Sequence, residues 1–305
     1  MAPMLRPLLL ALVVLALAPV LSACTAAFFV PDREVRISPA DAGLAYRDVT
    51  FATADGVRLH GWFLPAAASE AGRSQEESQR ESQNANGATA CTVLFLHGNA
   101  QNIGAHLASV YWLPARGINV FLFDYRGYGR SDGVPTLDGL HRDVAAAFDT
   151  LLAMDAVGPG KSVVLFGQSL GGAVAVTALA RSPHRDRVAA LVVEGAFAGY
   201  RRIAREKLAE FWLTWPLQAP LSRTVDDSYR PLEAAAGIAP VPLLVVHGLA
   251  DRTVPPQHGR DLFAAAAEPK DLWLLPGVRH IAAFTDEANR DRLVDYLSGC
   301  DPNNK

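Results

Sequence analysis

The sequence predicts an α/β fold: a mostly parallel central sheet with helices on both faces and a small helical cap. Three observations predict it. Short, strongly apolar runs rich in Val, Leu and Phe recur along the chain, as expected of strands buried on both faces. Helical patterns separate these runs, and strand–helix alternation favours parallel pairing through right-handed crossovers. The chain has 305 residues, half of them hydrophobic, enough for one large domain with a substantial core.

The N-terminus stands outside this pattern. Arg6 precedes an apolar run, Leu8–Leu21, that ends in Leu21-Ser22-Ala23-Cys24. A positive start, an apolar stretch and small residues before a cut site describe an export signal over residues 1–23. The cysteine after Leu-Ser-Ala resembles the lipobox of bacterial lipoproteins, which implies cleavage before Cys24, lipidation of its thiol and a membrane anchor at the cell envelope. The competing readings are ordinary signal cleavage with an incidental Cys24, and a retained membrane anchor, for which the run is short. Residues 24–44 are expected to form a tether. Of the other cysteines, Cys91 and Cys300 are read as two unpaired thiols in preference to a disulfide.

The main domain is expected over 45–299. Tyr46–Thr53 and Val57–Leu64 alternate apolar and polar residues around Asp55-Gly56, a hairpin signal. Residues 66–90 hold Ser, Gln, Glu, Asn and Gly with almost no large apolar side chain, and are expected to be a disordered insert. Buried strands are expected at Thr92–Leu96, Asn119–Phe123, Ser162–Phe166, Val188–Val193, Pro242–Val246 and Leu272–Leu275. Helices are expected at Asn102–Arg116, Leu137–Met154, Leu170–Ser182, Pro256–Ala267 and Asp286–Leu297. Between 197 and 231 the rhythm breaks, and Phe197, Tyr200, Phe211, Trp212 and Trp215 crowd among Arg201, Arg202, Arg205 and Lys207. This stretch is the expected cap, lining an apolar acyl pocket or facing a membrane. The competing reading is an ordinary amphipathic helix on the core.

In such sheets ligands bind at the carboxyl ends of the strands. The third buried run passes into Gly167-Gln168-Ser169-Leu170-Gly171-Gly172, the pattern Gly-x-Ser-x-Gly between a strand and a helix. A side chain at Gly167 or Gly171 is expected to collide with neighbouring backbone in so tight a turn. Alone, the pattern also fits a plain βα turn whose serine caps the helix. Two other strand ends decide between them. His247-Gly248-Leu249-Ala250-Asp251 follows one, and Pro276-Gly277-Val278-Arg279-His280 follows another. Ser169, Asp251 and His280 thus end three strands in the chain order that a nucleophile elbow requires.

Together with His97-Gly98-Asn99 and Asp124-Tyr125-Arg126-Gly127-Tyr128-Gly129-Arg130-Ser131, these blocks make the chain, from Tyr46 to Leu297, similar to the α/β hydrolases. It most resembles their serine aminopeptidase-like and monoacylglycerol lipase-like branch. The resemblance implies a serine hydrolase acting on a small-molecule acyl substrate. Ser169 would be the nucleophile, His280 the general base and Asp251 its partner. Leu170 would supply one backbone N–H to the oxyanion. Asn99, with Ala100 as alternate, would supply the other. Peptidases and thioesterases use the same residues. A non-catalytic envelope lipoprotein that binds a ligand or partner is the reading from another class.

The remaining candidates take lesser roles. Asp226 and Asp227 are weak rivals for the acid, and His258 is expected to be solvated or capping. His97 and His247 belong to tight His-Gly turns, and Asp124, Arg126 and Ser131 should tie their own loop. No cofactor is implied, no His/Cys cluster has metal-ligand spacing, and a net charge of -3 with no basic stripe gives no sign of nucleic acid.

Overall fold

The computed structural model describes residues 28–67, 91–157 and 163–298. The expected signal segment, Cys24, residues 68–90 of the expected insert and Cys300 lie outside these residues.

The chain opens with a short strand, β1 (Val30–Pro31), and the hairpin β2 (Arg47–Ala52) and β3 (Arg58–Leu64). β4 (Thr92–Leu96) follows, then β5 (Ala100–Gln101), the single turn α1 (Ile103–His106), β6 (Asn119–Phe123), α2 (Leu137–Leu152), β7 (Val163–Gln168) and α3 (Leu170–Arg181). After β8 (Val188–Glu194) come α4 (Tyr200–Glu210), α5 (Gln218–Ser222) and α6 (Pro231–Ala234). The fold closes with β9 (Leu243–Gly248), α7 (Gln257–Ala265), β10 (Lys270–Leu275) and α8 (Glu287–Ser298).

The central sheet has eight strands in the order β10-β9-β8-β7-β4-β6-β3-β2. β4 and β6 to β10 are parallel, and β3 pairs antiparallel with β6 and β2. Strand alternation divides the core. Leu94, Leu96, Leu165 and Val193 face α2, α3, α4 and α7. Val93, Phe95, Val164 and Val192 face the opposite layer with Ile103, Leu107, Leu293 and Leu297. Each fully buried side chain of this kind contributes roughly 1.5–3 kcal/mol. β6 lies on one side of β4 and β7 on the other, so the direction of winding reverses between β4 and β7. The loops after those two strands therefore border the crevice where α/β sheets bind ligands.

Two expectations change. The helix expected over Asn102–Arg116 is broken into α1 and two 3-10 turns, Leu107–Ser109 and Pro114–Arg116. Pro114 has no N–H to donate to the preceding turn, and Gly117 in the left-handed region ends the segment. The apolar spacing survives, because Ile103, Leu107, Val110 and Leu113 are all buried. From Phe28 onward the expected tether is part of the folded body. β1 pairs in parallel with β5, and Asn102 Nδ2 donates to the carbonyls of Asp32 (3.1 Å) and Glu34 (2.9 Å). Phe28 packs edge-on against Phe197 and Tyr200.

Candidate active site

Ser169 sits between the end of β7 and the start of α3, with φ 53° and ψ −114°. A non-glycine residue held there stores roughly 1–3 kcal/mol of backbone strain. The neighbours impose it. The Ser169 N–H donates to the Glu194 carbonyl on β8 (2.8 Å), and its own carbonyl accepts from Ala173 N–H (3.1 Å). A Cβ at Gly167 would lie 2.4 Å from the Gly171 carbonyl oxygen, and one at Gly171 only 2.0 Å from that of Leu96. These are the collisions expected from the sequence. Leu170 opens α3, so its N–H belongs to the first turn, where helix amides lack intrahelical partners. The helix dipole also favours negative charge there.

The loop after β4 lies against this turn: a Cβ on Gly98 would come within 3.7 Å of Ser169 Cβ. Asn99 is held by Tyr128 and Phe28. Tyr128 Oη donates to its carbonyl (2.9 Å) or to its side-chain oxygen (3.0 Å), and Asn99 Nδ2 donates to the Phe28 carbonyl (2.6 Å).

Asp251 follows β9, and His280 follows β10. His280 Nδ1 lies 2.7 Å from Asp251 Oδ2. A carboxylate only accepts, so Nδ1 carries a proton, and in the neutral ring Nε2 keeps its lone pair. Asp251 Oδ1 accepts from Thr253 N–H (2.8 Å) and Val254 N–H (2.9 Å). His247 Nε2 faces both the Val254 carbonyl (2.9 Å) and Asp251 Oδ2 (3.4 Å). Burial pushes the Asp251 carboxyl up, but hydrogen bonds from His247 and His280, the His280 charge and the Val254 amide outweigh it. The group is held well below the usual carboxylate range and stays ionised. Gly195, directly after β8, brings its backbone against this pair at φ +59°; a Cβ there would sit 3.2 Å from His280 Nδ1.

Glu194 was not singled out by the sequence, because the strand was expected to stop at Val193. Its buried carboxylate accepts from Gln168 Nε2 (2.6 Å), next to Ser169, and from Ala283 N–H (2.8 Å), three residues after His280. Burial raises its pKa against these bonds. Ile281, beside His280, holds φ +45°, an uncommon conformation for a β-branched residue. One carboxylate thus ties the turn of Ser169 to the strained loop of His280.

The lesser candidates are also placed. Asp227 Oδ1 accepts from the N–H groups of Tyr200 (3.0 Å) and Arg201 (3.2 Å), capping α4 away from His280. His258 is buried, not solvated. Its Nδ1 accepts from Ala198 N–H (2.9 Å) and its Nε2 meets Glu206 (2.7 Å), fastening α4 to the body. Ser131 Oγ donates to the Asp124 carbonyl (2.6 Å), and Arg126 bridges Asp55 and Asp143, the loop-tying roles expected of them. His97 Nδ1 donates to the Gly98 carbonyl (2.7 Å), fixing its turn. Among the described residues no group of three or more His, Cys, Asp or Glu is arranged to hold a metal ion.

Comparison with known proteins follows the same lines. A family model described as serine aminopeptidase, S33, matches residues 87–230. YfhR of Escherichia coli K12, an uncharacterized protein, is 37% identical over 260 residues, covering 84% of this chain and 82% of YfhR. WAV2 of Arabidopsis thaliana, an alpha/beta hydrolase domain-containing protein, is 33% identical across 76% of this chain and 70% of its own length. The chain belongs to the α/β-hydrolase superfamily. The Pyrococcus furiosus esterase Pf2001 shares the fold of this α/β hydrolase, with a TM-score of 0.67 at 22% identity, covering 90% of this chain and 98% of Pf2001. Family and fold together support a hydrolase.

Proposed function

We propose that the protein is a serine hydrolase that cleaves an ester or related acyl substrate through an acyl-enzyme. The observation that carries this reading is the 2.7 Å bond between His280 Nδ1 and Asp251 at the carboxyl ends of β9 and β10, on the same edge of the sheet as the strained Ser169 turn that ends β7. Ser169 Oγ attacks the acyl carbon while His280 Nε2 takes its proton. The oxyanion is held by the N–H groups of Leu170 and Asn99, and the tetrahedral species collapses as His280 protonates the leaving group. Water then repeats the sequence on the acyl-enzyme. Asp251, held ionised, keeps the imidazole in the tautomer that presents Nε2 and stabilises its cation. The likeness to Pf2001, an esterase, agrees with an ester substrate.

A peptidase of the same chemistry is the second reading, favoured by the description of the family model. In either case Ser169→Ala is expected to abolish fluorophosphonate labelling and hydrolysis of p-nitrophenyl butyrate while the fold persists. Unchanged labelling would remove Ser169 from the mechanism. The Leu-Ser-Ala-Cys24 sequence supports anchoring of the hydrolase at the bacterial cell envelope through a lipidated cysteine.

A further inference from the structure

The segment that leads out of α4 carries five exposed apolar side chains within seven residues: Phe211 (51% exposed), Trp212 (77%), Leu213 (57%), Trp215 (60%) and Leu217 (51%). The other three tryptophans, Trp62, Trp112 and Trp273, are 1%, 6% and 6% exposed. A soluble surface scatters single apolar residues; a contiguous aromatic edge calls for a partner. We propose that this edge of the cap, Phe211–Leu217, inserts into the interface of a lipid bilayer, and that the acyl substrate is a membrane-resident amphiphile. The substrate half of this statement rests on the hydrolase reading above; the docking half does not.

Three observations select a bilayer as the occupant. The first is composition. Tryptophan, phenylalanine and leucine beside cationic residues suit the boundary between headgroups and acyl chains. The cap, residues 197–231, holds six basic and four acidic side chains, a small positive excess that favours anionic lipid. The second is reach. The apolar run ends at Leu21 and Cys24 follows, so a fully extended chain puts Phe28 within about 25 Å of either attachment. Phe28 packs on Tyr200 at the start of α4, with ring centroids 5.9 Å apart. The eleven residues of α4 then span about 16 Å to Phe211. A chain anchored through its N-terminus can therefore bring this edge to the membrane plane. The third is position. Lys207, one turn before Phe211, donates to the Arg252 carbonyl (3.0 Å), adjacent to Asp251. The edge thus lies beside the mouth of the site, where an amphiphile leaving the bilayer would enter.

The test uses the full chain reconstituted into phosphatidylethanolamine–phosphatidylglycerol vesicles, some made with lipids brominated along their acyl chains. Bromine in the acyl layer should quench Trp212 and Trp215, removing roughly two fifths of the emission of the five tryptophans. Trp212→Phe/Trp215→Phe should lose this quenching. In a second arm, Trp212→Ser/Trp215→Ser/Leu217→Ser should lower turnover of a vesicle-embedded ester about tenfold and leave a soluble ester unaffected. Equal bromine quenching of the chain and its phenylalanine variant would overturn the docking. So would tryptophans that remain open to aqueous iodide on vesicles, or that become shielded in lipid-free detergent as protein concentration rises, which would mark a second copy as the occupant. Quenching without any fluorophosphonate labelling would leave the docking standing and sink the hydrolase reading alone.

Discussion

Asp251→Asn tests the proposed chemistry most directly. The Asp251 carboxylate serves four donors: the N–H groups of Thr253 (2.8 Å) and Val254 (2.9 Å) on Oδ1, and His280 (2.7 Å) and His247 (3.4 Å) on Oδ2. In the variant, Oδ1 stays with the two loop amides, so the new Nδ2 faces His280. Two donors cannot share a hydrogen bond, and His280 must move its proton to Nε2 to accept with Nδ1. It then presents an N–H to Ser169 and cannot take its proton. Loss of the tautomer in a serine triad lowers kcat by about 10⁴, and each tenfold is about 1.4 kcal/mol, so the transition state loses roughly 5–6 kcal/mol. The backbone bonds of the loop persist, so the variant should fold. The assay is initial-rate hydrolysis of p-nitrophenyl butyrate, with fluorophosphonate labelling falling in parallel. A folded variant within tenfold of the parent rate would refute Asp251 as the partner of His280.

Two further outcomes follow from the same geometry. Gly195→Ala places a Cβ 3.2 Å from His280 Nδ1 and 3.5 Å from Asp251 Oδ2, on a backbone at φ +59°. It should cut kcat/KM by roughly a hundredfold through misplaced imidazole, with a cooperative thermal transition retained; full activity would show that the site tolerates the shift. Asp124 is raised from 3.8 to about 7 by burial, against hydrogen bonds from the Ile103 and Arg130 amides. The native state therefore keeps a proton that the unfolded chain releases above pH 4, so this group costs stability increasingly as pH rises from about 4 through 7. Asp124→Asn removes that cost, which reaches at most about 4 kcal/mol. Urea denaturation should show the variant gaining on the parent between pH 5 and 8, and a constant difference would contradict the assignment. Comparing the two chains cancels the opposite contribution of buried histidines away from Asp124, such as His258, whose lowered pKa makes stability fall as pH drops.

The parallel strands were legible because burial on both faces leaves continuous apolar runs, and β4 and β6 match their expected bounds residue for residue. β7, β8 and β9 run one or two residues further, through Gln168, Glu194 and Gly248, because backbone pairing continues past the last apolar side chain. That small extension hid Glu194, a polar residue at a strand end where polar residues carry the site. The helix expected after β4 gave way to 3-10 turns from Leu107 onward despite good apolar spacing, and Pro114, with no N–H to donate, opens the last of them. The tether was misread for another reason. Its Phe28-Phe29 pair is too short to show periodicity, and its order comes from tertiary partners: Gln101, Asn102 and the aromatic residues at the base of the cap.

These last contacts join two things that the sequence kept apart. Asn99, the proposed oxyanion donor after β4, gives its side-chain N–H to the carbonyl of Phe28, and Phe28 packs on Phe197 and Tyr200 where the cap begins. The proposed attachment point, Cys24, thus lies four positions in sequence before the residue that holds the proposed oxyanion donor. Shortening the chain past Phe28 would therefore disturb the Asn99 loop as well as remove the proposed attachment.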